Sequence, residues 1–209
     1  LHKITEGHLD ATIMVAYLEQ KERTDEALLA TTAKADRLLN EIEEMVAMNC
    51  TAVDIAYSPN DLYRLKREGK KAIMLGIENG YAIGKDLSRV AHFRKRGVVY
   101  MTLCHNGNND ICGSARYNEE NLGVTPFGEQ VIQEMNRLGM MVDLSHSGER
   151  TFYETLDISS QPVVCSHSSS RALCDHPRNL TDDQLRAIAR KGGVVQVCLY
   201  SGFLRKERP

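Results

Sequence analysis

Six short, continuous apolar runs constrain this chain more than any other feature: residues 11–17 (ATIMVAY), 72–77 (AIMLGI), 98–104 (VVYMTLC), 140–144 (MMVDL), 162–165 (PVVC) and 194–199 (VVQVCL). They are rich in β-branched residues and do not alternate polar with apolar. Such runs suit strands buried on both faces of a parallel sheet. Amphipathic segments with readable ends lie between them. Thr24, followed by Asp25 and Glu26, caps a long helix whose apolar stripe is Leu28, Ala35, Leu38, Leu39, Ile42, Met45 and Val46. Ser58-Pro59 and Thr125-Pro126 open two more, with Gly69 and Gly139 as their stops. Thr181 with Gln184 spells a capping box, and Gly192 closes that helix.

Strand–helix alternation of this kind predicts an α/β fold with parallel pairing, either an open doubly wound sheet or a closed barrel. No glycine-rich phosphate loop follows a strand, which removes the main support for a nucleotide-binding open sheet. No linker or repeat divides the sequence, so residues 1–209 are expected to form a single domain.

Composition closes off other classes. Lys and Arg number 26 against 28 Asp and Glu, a net charge of −2, which gives no electrostatic reason to expect nucleic acid as a partner. No run approaches the roughly 20 apolar residues that span a bilayer. The expected setting is therefore soluble, with the cytoplasm slightly favoured over the periplasm. Six scattered cysteines without a CxxC pair argue against a disulfide framework, since Cys104, Cys165 and Cys198 fall inside apolar runs.

Four of the runs lead into a chemically capable group: Gly76-Ile77-Glu78, Leu103-Cys104-His105, Asp143-Leu144-Ser145-His146 and Cys165-Ser166-His167. In a barrel the C-terminal strand ends converge on one mouth, where active sites are built. Glu78, His105, His146 and His167 would meet there. A single histidine at a strand end is commonly structural; four such groups on consecutive strands form a pattern. One carboxylate with several imidazoles suits zinc or a related divalent ion. Glu78, with two oxygens, could bridge two ions about 3.5–4 Å apart.

Other candidates read differently. His92 lies in a basic helix and is expected to be solvated, and His176 precedes Pro177 in a loop, where it would at best support a ligand. His8 and Asp10 spell His-x-Asp, a ligand pair in many barrels, but they precede a strand instead of ending one. Arg178 and Asn179 follow the 162–165 run on the mouth side, and an arginine there could fork onto a carboxylate. From the residues alone, a surface arginine paired with Asp175 or Asp182 is the favoured reading.

Four ordered motifs, Gly76-Ile77-Glu78-Asn79-Gly80, Met101-Thr102-Leu103-Cys104-His105-Asn106, Val142-Asp143-Leu144-Ser145-His146 and Ser166-His167-Ser168 through His176-Pro177-Arg178-Asn179, resemble those of the membrane (renal) dipeptidase family. The resemblance implies a TIM-like (β/α)8 barrel that hydrolyses dipeptides with a zinc-activated hydroxide at a binuclear site. It implies that Glu78 bridges both zincs, that His146 and His167 ligate one, and that His105 steadies the scissile carbonyl and its oxyanion. Arg178, with Asn179 beside it, would hold the dipeptide's carboxylate. The partner would be a dipeptide, with a homodimer left open.

The sequence departs from the family pattern in three places. No His-x-Asp ends a first strand, no late catalytic aspartate follows, and Asn79 stands where the family often has glycine. About six of eight strands are expected here, and on this reading the chain alone would be unstable or inactive. Two other readings stay open. One is a barrel metallohydrolase acting on lactones, phosphotriesters or other amides, although such sites commonly use a lysine bridge that no strand end here offers. The other is a non-catalytic remnant keeping Glu78, His146 and His167.

Overall fold

The computed structural model describes residues 1–205. Its elements alternate from end to end: α1 (His2–Glu6), β1 (Ala11–Tyr17), α2 (Asp25–Ala47), β2 (Val53–Ile55), α3 (Pro59–Arg67), β3 (Lys71–Glu78), α4 (Ser88–Lys95), β4 (Val98–Thr102), α5 (Pro126–Leu138), β5 (Met141–Asp143), α6 (Glu149–Ile158), β6 (Val164–Ser168), α7 (Asp182–Arg190), β7 (Val194–Val197) and α8 (Ser201–Leu204). The strands pair in the order β1-β3-β4-β5-β6-β7, every pair parallel, with β2 beside the first half of β3. This is part of a TIM-like barrel, as the alternation predicts.

Strand β2 was not anticipated. It has three residues and is interrupted by Asp54, too short for periodicity to reveal. Strand ends also shift from expectation. Strand β6 runs through Ser168, so His167 lies inside it instead of after it, whereas β4 stops at Thr102, three residues before His105.

The helix ends follow their sequence signals. Thr24, Ser58 and Thr125 each accept a backbone N–H of the first turn, and Thr181 and Gln184 bond reciprocally at 2.9 and 3.2 Å. Gly69, Gly139 and Gly192 take φ values of 74°, 68° and 73°, the left-handed conformation that ends a helix. One apolar cluster joins β3 (Ile73, Leu75, Ile77), β4 (Met101) and β5 (Val142) to Leu39 of α2, Phe93 of α4, Met135 of α5 and Phe152 of α6. This burial fixes the sheet, and the sheet's register fixes the site. Tyr17, Glu78, Thr102 and Asp143 are aligned across β1, β3, β4 and β5, so successive strand ends share one rim. All six cysteines are free thiols.

The long loop between β4 and α5 carries His105 and is clamped by the start of α5. A Cβ on Gly128 would lie 2.0 Å from the Ile111 carbonyl oxygen. Alanine is the better helix former by about 1 kcal/mol, but here the clash decides the outcome. Gly128→Ala should destabilise the protein by about 1–3 kcal/mol, measured as a fall in thermal midpoint. A rise would show that α5 does not hold the loop this closely.

Candidate metal centre

Glu78 is the last residue of β3, and three imidazoles surround its carboxylate. Oε1 lies 3.3 Å from His167 Nε2, 3.4 Å from His146 Nε2 and 3.9 Å from His105 Nε2. The two nitrogens of His146 and His167 are 2.9 Å apart. Glu78, His105 and His146 also form a group whose ligand atoms all fall within 4.8 Å. Two atoms bound tetrahedrally to one ion at about 2.0–2.1 Å sit roughly 3.3 Å apart. The spacing of Glu78, His146 and His167 therefore fits the edges of one coordination shell. His105 stands slightly back, its ring 4.1 Å from that of His146 and edge-on to Tyr17.

Local structure explains how each ring is held. His146 adopts φ 72°, an unusual conformation for a residue with a side chain and a form of strain that concentrates at functional sites. Its carbonyl accepts the Ala115 N–H at 2.7 Å, and Ser114 Oγ bonds the carbonyls of both His105 and His146. One serine thus ties the two histidine-bearing loops together. Asn79, at φ 93°, occupies the kind of backbone position that favours glycine, and its buried amide bonds Leu18, Tyr81 and Asn109. His167 is held through its backbone N–H, which donates to Ser145 Oγ.

The electrostatics of the cluster favour a cation. Burial acts to raise the Glu78 carboxyl, but the neighbouring His146 and His167 outweigh it and hold the group well below the usual range. Burial pushes His146 down to about 3 against the pull of Glu78, and burial likewise lowers His105. His105 and His146 thus resist protonation and do not neutralise the carboxylate. Among the described residues, its close ion-pair partners are histidines alone.

Beside the cluster opens a cavity of about 630 Å³, lined by His105, His146, Arg116, His176, Arg178 and Phe203 among others. Arg178 is 4% exposed and directs Nη2 to the His167 carbonyl, with its guanidinium 5.4 Å from the Phe203 ring. Among the described residues its buried Nε has no hydrogen-bond partner. The surface pairing with Asp175 or Asp182 favoured from the residues alone is thus not where its guanidinium lies.

Asn179 lies elsewhere. Its amide donates to the carbonyls of Cys174 and Phe203, which places it in the scaffold of the loop. His8 is exposed, and Asp10 pairs with Lys66 and Lys71 at the opposite end of β1 from Tyr17. His92 is half exposed and bonds Asp36 at 2.9 Å. Sequence reasoning passed over Asn106, whose Oδ1 faces His146 Nδ1 at 3.3 Å, and Arg116 and Phe203 on the cavity wall. The position of Asn106, directly after His105, was the signal available for it.

A carboxylate–imidazole cluster on the C-terminal rim of a parallel barrel sheet is the layout of barrel hydrolases that work with metal ions. The chain belongs to the membrane dipeptidase family, peptidase family M19, whose model matches residues 1–209. It is 42% identical over 144 residues to an uncharacterized dipeptidase of Schizosaccharomyces pombe, covering 68% of this chain and 35% of that protein. Dipeptidase 3 of Mus musculus is 31% identical over 98% of this chain and 41% of its own length. The crystal structure of the probable dipeptidase PvdM from Pseudomonas aeruginosa superposes with a TM-score of 0.90 at 30% identity, covering 98% of this chain and 54% of that one. The chain thus spans about a third to a half of the curated relatives it matches.

The depressed values of His146 and Glu78 set a pH dependence for the metal-free protein. His146 takes up its proton in the unfolded chain near 6.5 but in the native state only near 3, so stability is lost as pH falls through that window. Glu78, lowered from 4.5, adds a loss of the same sign below that pH. In chelator-treated protein, urea stability should fall from pH 6.5 to 4.5 by up to about 1.4 kcal/mol per pH unit per histidine. His146→Gln should flatten that slope. A slope indifferent to the substitution would contradict the buried neutral ring.

Proposed function

We propose that this protein is a zinc-dependent dipeptidase whose metal site is built on Glu78, His146 and His167. The observation that carries the proposal is the convergence of Glu78 Oε1, His146 Nε2 and His167 Nε2 within 2.9–3.4 Å beside a cavity holding a buried arginine. At that spacing the three atoms share either protons or a cation, and a divalent ion satisfies all three at once. The two oxygens of Glu78 allow it to bridge a second ion, as the family resemblance implies. When bound, zinc lowers the pKa of a coordinated water to about 7 and polarises a carbonyl, supplying nucleophile and electrophile at neutral pH.

The remaining chemistry falls to this chain's own groups. His105, beside the cluster and lined up with the cavity, donates a hydrogen bond to the scissile carbonyl oxygen and steadies the charge that develops there. Arg178 binds the free carboxylate of the dipeptide through its guanidinium on the cavity wall. That anchor limits the substrate's length and holds the amide over the cluster. Burial lowers the Arg178 value, yet an arginine starts so far above neutrality that the group stays a cation.

The test is turnover of dipeptides before and after chelation. Activity should vanish with the metal and return with added zinc. His105→Ala should lower kcat by about 100- to 1,000-fold with a smaller change in KM. Arg178→Ala should raise KM by about 10- to 100-fold for free dipeptides. Equal cleavage of amidated and free dipeptides by the unaltered protein would remove the anchor role, and activity that survives chelation would overturn the proposal.

A further inference from the structure

Asp143 ends β5 fully buried, and no step above uses it. Its carboxylate accepts four hydrogen bonds. Oδ1 takes the backbone N–H groups of Ser145 and Ser166 at 3.0 and 2.9 Å, and Oδ2 takes the hydroxyls of Thr102 and Ser166 at 2.6 Å each. Donors from β4, from the turn after β5 and from β6 thus converge on one anion and fill both oxygens. The Ser166 hydroxyl has a second close neighbour, His167 Nδ1 at 2.7 Å.

A serine hydroxyl carries one proton. With a carboxylate oxygen 2.6 Å away, that proton goes to Asp143, the stronger acceptor. Ser166 Oγ then has only lone pairs to offer His167, so the ring must donate from Nδ1. A neutral imidazole that holds its proton on Nδ1 has a bare Nε2, the nitrogen 2.9 Å from His146 and 3.3 Å from Glu78. We propose that Asp143 is a positioning residue which, through the Ser166 hydroxyl, holds His167 in its Nδ1–H form and keeps Nε2 free to bind a cation. Metal-binding histidines commonly donate their other N–H directly to a carboxylate or carbonyl. Here a serine stands between, and Asp143 also ties three strands together. The use made of the free Nε2 rests on the metal-hydrolase reading; the tautomer does not.

The experiment is long-range proton–nitrogen NMR of the histidine rings in chelator-treated protein near pH 8, combined with titration by zinc. In the unaltered protein His167 should be the Nδ1–H tautomer. Ser166→Ala should shift it toward Nε2–H and weaken zinc binding by about 10- to 100-fold. Ser166→Thr, which restores the hydroxyl, should recover both. An Nε2–H ring in the unaltered protein, or a Ser166→Ala protein with unchanged tautomer and affinity, would overturn the relay. Failure of the unaltered protein to bind zinc, with His167 still in its Nδ1–H form, would count against the metal reading and leave the relay standing.

Discussion

Glu78 is a carboxylate placed among imidazoles, with no lysine or arginine among the described residues within ion-pair distance of it, and the rest of the site is arranged around that imbalance. Burial makes its charge costly to leave unanswered. The same burial keeps His146 from supplying the answer by protonation, since its value is pushed down to about 3. The protein therefore holds an anion 3.4 Å from a ring that resists protonation, a setting that suits a divalent cation. Folding energy maintains it: the apolar cluster under β3–β5 holds the sheet, and the register sets Glu78 on the shared rim.

Much of this was legible in the sequence. Continuous apolar runs announced buried parallel strands, and caps such as Thr181 with Gln184 announced where helices begin. Glu78, His105, His146 and His167 could be grouped because a barrel brings C-terminal strand ends together, a rule that needs no side-chain detail. The decoy pair His8 and Asp10 could be set aside by the same rule, as it lies before its strand.

What escaped the sequence depended on three-dimensional register. Strand β2 owes its existence to pairing with Lys71–Ile73 more than to its own three residues. Asn179 looked like a substrate contact because it follows Arg178, but neighbours in a loop point in different directions, and its amide is committed to Cys174 and Phe203. Asp143 and Ser166 stood inside the motifs as unremarked letters. Their link runs across two strands, and no spacing rule along the chain predicts which hydroxyl a buried carboxylate will meet.

If Glu78, His146 and His167 surround one cation, an anomalous difference map collected at the zinc edge from crystals grown with zinc will show a peak about 2.0–2.2 Å from Glu78 Oε1, His146 Nε2 and His167 Nε2. A map without density at that point, or with zinc held only by other residues, would contradict that arrangement.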